Sequence, residues 1–289
     1  MKNLILIILL SFTTVSLCFA GGPWPQQKGK GYFKLSEWWI VFSQHYTDAG
    51  LTDPNVTTGI FNTSLYIEYG LTDRLTAITN APLFSRNYMN NLKSATTNEI
   101  IVPGESINSI GDIEVGLKLG LTKQGAKIPV AASLILGLPT GVASAGTLNN
   151  LQTGDGEFNQ IIQIHAGHSF QIAKAPAYVS TYIGFNNRSN DFSEEFRYGL
   201  EFGIGLINKK LWLNTKLNVV ESFKNGGTAE TITSTSVFAN NSEYTSIGLG
   251  INYYISSKLG VSVDVAGAFK GEIIAAAPSY SVGVFYDME

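Results

Sequence analysis

The sequence predicts an all-β chain, a transmembrane up-and-down antiparallel β-barrel of about twelve strands, on three observations. Segments of roughly 9–11 residues with alternating apolar and polar side chains recur along it, the length a tilted strand needs to cross a bilayer. Short turns and long polar loops alternate between those segments. Only 14% of the 289 residues are charged, against roughly 25% in soluble domains, yet no apolar run after residue 20 is long enough for a spanning helix.

The clearest strand is Phe196 to Leu206. Phe196, Tyr198, Leu200, Phe202, Ile204 and Leu206 fall on one face, and Arg197, Gly199, Glu201, Gly203 and Gly205 on the other. A helix would scatter these apolar residues around its axis and place three glycines in its interior.

The chain opens with Met1-Lys2-Asn3, an apolar run from Leu4 to Leu10, and a small-residue stretch ending Cys18-Phe19-Ala20. This is the pattern of an export signal over residues 1–20, cut after Ala20. A lipid-modified Cys18 is the alternative, and Leu17 is a poor residue before such a cysteine. Cut after Ala20, the exported chain has no cysteine and is held by burial and strand ladders alone. Residues 21–31 begin GGPWPQQKGK, with two prolines and no alternation. They read as a short periplasmic lead-in rather than a plug, and residues 32–289 as the barrel.

Strand one is expected from Tyr32 to Tyr46, where Trp38 and Trp39 put one indole on each face. Strand two, Ile60 to Gly70, sets Phe61, Thr63, Leu65, Ile67 and Tyr69 against Asn62, Ser64, Tyr66 and Glu68, with aromatics at both ends of the apolar face, as at two membrane interfaces. Strand three covers Leu75 to Phe84. Strand four, Ile110 to Leu121, opposes Asp112, Glu114, Gly116, Lys118 and Gly120 to Ile113, Val115, Leu117, Leu119 and Leu121. Strands five to seven are Ile128 to Leu138, Phe158 to Phe170 and Ala177 to Asn186. Strand eight is the stretch from Phe196. Strands nine to twelve are Leu211 to Phe223, Tyr244 to Ile255, Leu259 to Phe269 and Tyr280 to Tyr286.

The connections after the even strands are short, and those after the odd strands are generally longer and rich in Asn, Thr, Ser and Gly. An up-and-down barrel segregates turns and loops this way, and a Greek-key sandwich generally does not. Both ends of the barrel then lie on the short-turn, periplasmic side. A closed ladder also leaves no unpaired backbone groups in hydrocarbon. The localisation expected is the outer membrane of a Gram-negative cell, with outer-membrane lipid as a partner.

Glu68-Tyr-Gly-Leu-Thr-Asp-Arg-Leu75, Gly111-Asp112 with Leu117-Lys118, Leu138-Pro-Thr-Gly141 and Gly154-Asp-Gly156 together resemble the outer-membrane barrel family named for the meta-pathway of phenol degradation. The resemblance extends loosely from about residue 60 to the C-terminus and rests on the order and spacing of short turn motifs. It implies a transporter of aromatic or other hydrophobic small molecules, distantly similar to the long-chain fatty acid transporters. Those have an N-terminal hatch, which the short lead-in does not supply.

The inward phase of the strands collects Glu68, Asp112, Glu114, Lys118, Arg197, Glu201, Lys216 and Asp264 as candidate lining of a solute path. A narrow barrel filled with paired charges is the structural alternative. Arg197 and Glu201 lie roughly 13 Å apart along one strand, so Arg197 is expected to pair through neighbouring or opposing strands, with Glu201 or Glu114. His165 and His168 fall on opposite faces and His45 at a strand end, so no convergent metal site is expected. His168-Ser169 point apart and His165 is again roughly 13 Å from Ser169, which disfavours a lipid-modifying enzyme. His168 is expected near the periplasmic rim, and Gly154-Asp-Gly-Glu157 as a turn rather than a calcium loop. The connection 85–109 is the best candidate for a loop folding inward as a constriction, a solvated surface loop being the more common outcome.

No cofactor is expected, and with no basic stripe and a net charge of −3 a nucleic-acid partner is set aside. The function expected is passive passage of a small, hydrophobic or aromatic solute. A structural or adhesive barrel with ligand-binding loops is the alternative, and a barrel enzyme is less favoured.

Overall fold

The computed structural model describes residues 21–227 and 237–288. The expected export signal lies outside the described residues. Twelve strands make the wall: β1 (Gly31–Tyr46), β2 (Thr52–Gly70), β3 (Leu75–Met89), β4 (Ile113–Gly120), β5 (Val130–Leu138), β6 (Asn159–Ile172), β7 (Ala175–Arg188), β8 (Glu195–Leu206), β9 (Leu211–Ser222), β10 (Glu243–Tyr254), β11 (Leu259–Glu272) and β12 (Ser279–Asp287). Each pairs antiparallel with its sequence neighbours. β1 pairs with β2 on one side and β12 on the other, so the sheet closes.

The closing register is set by alternation. Val282, Val284 and Tyr286 of β12 stand beside Glu37, Leu35 and Phe33 of β1 and beside Val263, Val261 and Leu259 of β11. A slip of one residue would turn every apolar side chain of β12 into the lumen.

The outward residues form a continuous apolar belt. Leu200 is 49% exposed, Leu249 58% and Val284 50%, values a soluble core face would not leave open to water over a whole barrel. Aromatic rings mark its edges. On the loop side Trp39 stacks on Tyr280 at 5.7 Å and Phe61 on Tyr88 at 6.2 Å. Tyr69, Tyr253 and Tyr286 stand at the turn side, each about two-fifths exposed. Replacing Leu200 by Arg puts a charge in this belt and should cost up to about 2–4 kcal/mol at the bilayer midplane. Urea unfolding in lipid vesicles checks this, and a change below 0.5 kcal/mol would remove Leu200 from the lipid face.

One outward residue breaks the belt. Glu37 shares its face with Trp39 and Leu35 and accepts a hydrogen bond from Thr63 Oγ1 at 2.5 Å across the β1/β2 pair. Trp38, beside it, points inward against the buried cluster of Ile40, Phe42 and Ile60.

Two expectations about the connections need correction. Residues 85–109 do not fold inward. β3 continues to Met89, a small hairpin (Leu92–Lys93 with Ile100–Val102) follows, and Glu105–Ser109 returns alongside Ser85–Met89. The strand persists beyond the apolar belt because its inward polar groups find partners: Ser85 Oγ donates to Asn62 Oδ1 at 2.5 Å, and Asn87 Nδ2 to the Gln152 carbonyl at 2.8 Å. The lead-in, for its part, does not stay outside the barrel. Pro23 and Gln26 are buried, and the segment runs back from Gly31 into the lumen.

Candidate functional site

At the turn end, Glu68 of β2 and Lys118 of β4 reach each other over β3. Lys118 Nζ donates to both Glu68 oxygens at 3.1 Å, and both side chains are almost completely buried. The bridge spans β3 at Thr76, which stands opposite Lys118 and is small enough to be crossed. Partners two strands apart can meet only on the concave side of a barrel, which fixes these residues as lumenal. Tyr66 Oη (2.6 Å), Gln26 Nε2 (3.3 Å) and the Gly21 N–H (2.8 Å) also donate to Glu68.

The last two donors come from the lead-in, which crosses the mouth. The Gln26 N–H donates to Thr76 Oγ1 at 2.8 Å, Trp24 meets Tyr178 edge-on at 5.7 Å, and Lys28 bridges to Gly70. Gly70 permits this approach, since a Cβ there would lie 2.0 Å from the Gln27 carbonyl oxygen.

In the middle of the lumen, Glu201 of β8 accepts a short hydrogen bond from Tyr178 Oη and lies 3.5 Å from Lys216 Nζ of β9. The Gly203 beside it leaves room for the Tyr178 ring, which a Cβ would meet at 2.1 Å. Asp264 of β11 pairs with Lys34 of β1 at 3.2 Å, across Gly283 of β12. Glu114 of β4 accepts from Asn80 Nδ2 at 3.2 Å.

The loop end is narrowed by residues 139–158, between β5 and β6. Asp112, just before β4, accepts the Gly141 N–H at 2.8 Å and the Asp155 N–H at 2.9 Å. Arg188 at the end of β7 forms a close ion pair with Glu157 and donates to Glu195 at 2.7 Å. With Asn87 holding the Gln152 carbonyl, the loop is tied to β3, to Asp112 before β4 and to β7, over the strands on both sides of its own. The loop turns at Gly146 to Asn149, and the Gly154-Asp-Gly156 stretch is a bend on its returning leg, with Gly156 at φ +77°.

Arg197 pairs with Glu195, two residues earlier on its own strand, and not with Glu201 or Glu114 across strands. The physical reason was available in the sequence: residues two apart share a face at roughly 7 Å, within reach of an arginine.

Burial raises the Asp112 carboxyl to about 6, with Asp155 adding repulsion and the two N–H donors opposing the shift. A raised carboxyl favours the folded arrangement when protonated. That contribution is complete below about 4 and is lost as pH rises through about 6. The loop is therefore expected to be held more firmly at pH 5 than at pH 7.5, giving a smaller current at acid pH in planar bilayers. Asp112→Asn should remove that dependence. A variant that keeps the full wild-type pH profile would contradict the assignment.

Two cavities lie in the loop half of the barrel. One of about 1180 Å³ lies on the loop side, lined by Thr58, Tyr88, Met89, Asn91, Glu105 and Asn150 among others. A smaller one of about 490 Å³ notches the wall where β11 faces Ala276, Ala277 and Pro278, and it is lined by outward Ile247 and Leu249 as well as inward Ala266 and Ala268.

A Ser–His contact that along-strand spacing does not reveal appears across β5 and β6: Ser133 Oγ lies 2.9 Å from His165 Nε2. It corrects the expectation that no serine and histidine meet. Ser133 is 4% exposed, and among the described hydrogen bonds no carboxylate orients the other ring nitrogen, so two of the requirements of a nucleophile site are unmet. His168 is outward, its Nδ1 2.8 Å from the Lys127 carbonyl in the β4–β5 turn, stacked with Phe170. Among the described residues no group of three or more His, Cys, Asp or Glu could hold a metal ion.

No family model matches the chain, and no curated protein matches it in sequence. Solved structures do match. The COG4313 outer membrane channel from Pseudomonas putida F1 superposes with a TM-score of 0.54 at 13% identity, covering 94% of this chain and 100% of that one. The KdgM porin in complex with disordered oligogalacturonate gives 0.49 at 8% identity over 89% and 99%, and the NanC porin 0.49 at 7% over 88% and 98%. At such identities the likeness is one of fold: the chain is an outer-membrane-type barrel of twelve antiparallel strands.

Proposed function

We propose that the barrel is a narrow outer-membrane channel for passive passage of small molecules with an apolar or aromatic body, neutral and cationic ones ahead of anions. The observation that carries this is the two-sided character of the lumen. Trp38, Ile40, Phe42 and Ile60 turn an apolar patch inward near the loop end. Elsewhere the inward carboxylates Glu68, Asp112, Glu114, Glu195, Glu201 and Asp264, joined by Asp155 and Glu157 of the loop, outnumber Lys34, Lys118, Arg188, Arg197 and Lys216. A lumen lined by excess negative charge concentrates cations and repels anions. The likeness in fold to a protein described as an outer membrane channel and the resemblance to the phenol-degradation barrel family both support the reading. On it, Glu68, Asp112, Glu114, Lys118, Arg197, Glu201, Lys216 and Asp264 belong to the walls of the solute path.

The test is entry into proteoliposomes of three solutes of similar size: phenol, a benzyl ammonium and a benzoate. The ammonium and phenol should enter faster than the benzoate. If none enters faster than into protein-free vesicles, the channel reading fails. If the benzoate leads, the charge assignment fails.

A further inference from the structure

The lead-in places the nitrogen of Gly21 inside the lumen, 2.8 Å from Glu68 Oε1. There it is a peptide N–H. With the chain cut after Ala20, as the export-signal pattern predicts, the same atom is the α-amino group of the mature protein. We propose that Glu68 is the receptor for this amino terminus: processing creates an ammonium that seats on the buried Glu68 carboxylate, and the seated segment closes the periplasmic mouth.

Three features of the site fit that occupant. Glu68 presents its carboxylate to donors from two directions, Lys118 from the wall and Gly21 from the lumen, which a single wall pair would not require. Glu114, on the same face of β4 and roughly 13 Å along it from Lys118, has an asparagine amide for its hydrogen-bond partner and no salt bridge among those formed by the described residues, so the lumen holds a carboxylate without a paired cation. An ammonium at Gly21 brings three donors where the peptide has one, and a charge-assisted contact is roughly twice as strong as a neutral one.

The wall is also cut to receive the segment. A Cβ at Gly70 would meet the Gln27 carbonyl oxygen at 2.0 Å, one at Gly120 would meet Pro25 at 2.7 Å, and one at Gly167 would meet Pro23 at 2.8 Å. Glycines on three different strands thus stand where successive lead-in residues press. Cut after Ala20, the segment carries a free ammonium in the same seat, so export processing sets the charge that meets Glu68.

The docking rests on the geometry together with the cut after Ala20, and its effect on current rests on the channel reading. The test uses mature protein extracted from outer membranes, its first residue established by intact mass. The α-amine is acylated with an N-hydroxysuccinimide ester in the folded barrel and in urea, and the N-terminal peptide is quantified by mass spectrometry. Acylation should be roughly tenfold or more slower in the folded barrel. Gly70→Ala leaves Glu68 and Lys118 in place but obstructs Gln27, and should restore the rate. Glu68→Gln combined with Lys118→Met removes both wall charges together and should restore it as well.

Equal rates in folded and unfolded wild type, or a mature chain beginning elsewhere than Gly21, would overturn the proposal. Protection that survives the double substitution would overturn the ion pair. In bilayers Gly70→Ala should conduct more than wild type. If no form conducts at all, the channel reading fails while the acylation result still decides the docking.

Discussion

Excision of residues 143–152 should raise single-channel conductance several-fold and leave the barrel folded. The loop they belong to reaches from β3 to β7, held by Asn87, Asp112 and Arg188. Its two ends already meet: the Val142 N–H donates to Thr153 Oγ1 at 2.9 Å, and the Thr153 N–H to the Val142 carbonyl at 2.8 Å. An Asn-Gly turn can therefore join them with little disturbance. The strands on either side keep their register, Val130 opposite Ala166 through Gly137 opposite Asn159. Heat-modifiable gel mobility reports the fold and planar bilayers the current. An unchanged current in a folded variant would mean that the loop does not set the constriction.

The second large effect concerns stability. In a barrel whose Gly21 nitrogen is an amide, Lys118→Met leaves Glu68 as a charge buried among Tyr66, Gln26 and Gly21 donors without its cation, and breaking one side of a buried pair costs about 3–5 kcal/mol. The combined Glu68→Gln/Lys118→Met barrel should return to within about 1–2 kcal/mol of wild type, because the cost lies in the unpaired charge rather than in the lost contact. Urea titrations in lipid vesicles, followed by tryptophan fluorescence, measure both. A double variant no more stable than the single one would contradict this account.

The wall was legible in the sequence because what makes it is local. Each strand carries its own alternation between lipid and lumen, and the contrast between Asn208 to Lys210 and the long connection 139–158 marks which end is which. Ends were read short wherever a strand outran the membrane. β2 begins at Thr52 rather than Ile60, since above the apolar belt no outward apolar residue is required. The two constrictions were not legible, for a common reason. Which loop turns inward depends on Asn87 finding Gln152 and Arg188 finding Glu157, partners far apart in sequence that only the closed barrel brings together. The lead-in shows no alternation because its ladder contact with the wall is a one-residue bridge, Lys28 to Gly70, and its signature lies elsewhere, in Gly70, Gly120 and Gly167. The Arg197–Glu195 pair, by contrast, was in plain view along one strand.

The strands differ greatly in length around the circumference. β2 has 19 residues and β1 has 16, whereas β4 has 8 and β5 has 9. At roughly 3.3 Å per residue, a long strand exceeds a short one by tens of ångströms along its own axis. The loop-side ends of the strands therefore stand at different heights, high at β1 and β2 and lower at β4, β5 and the 9-residue β12.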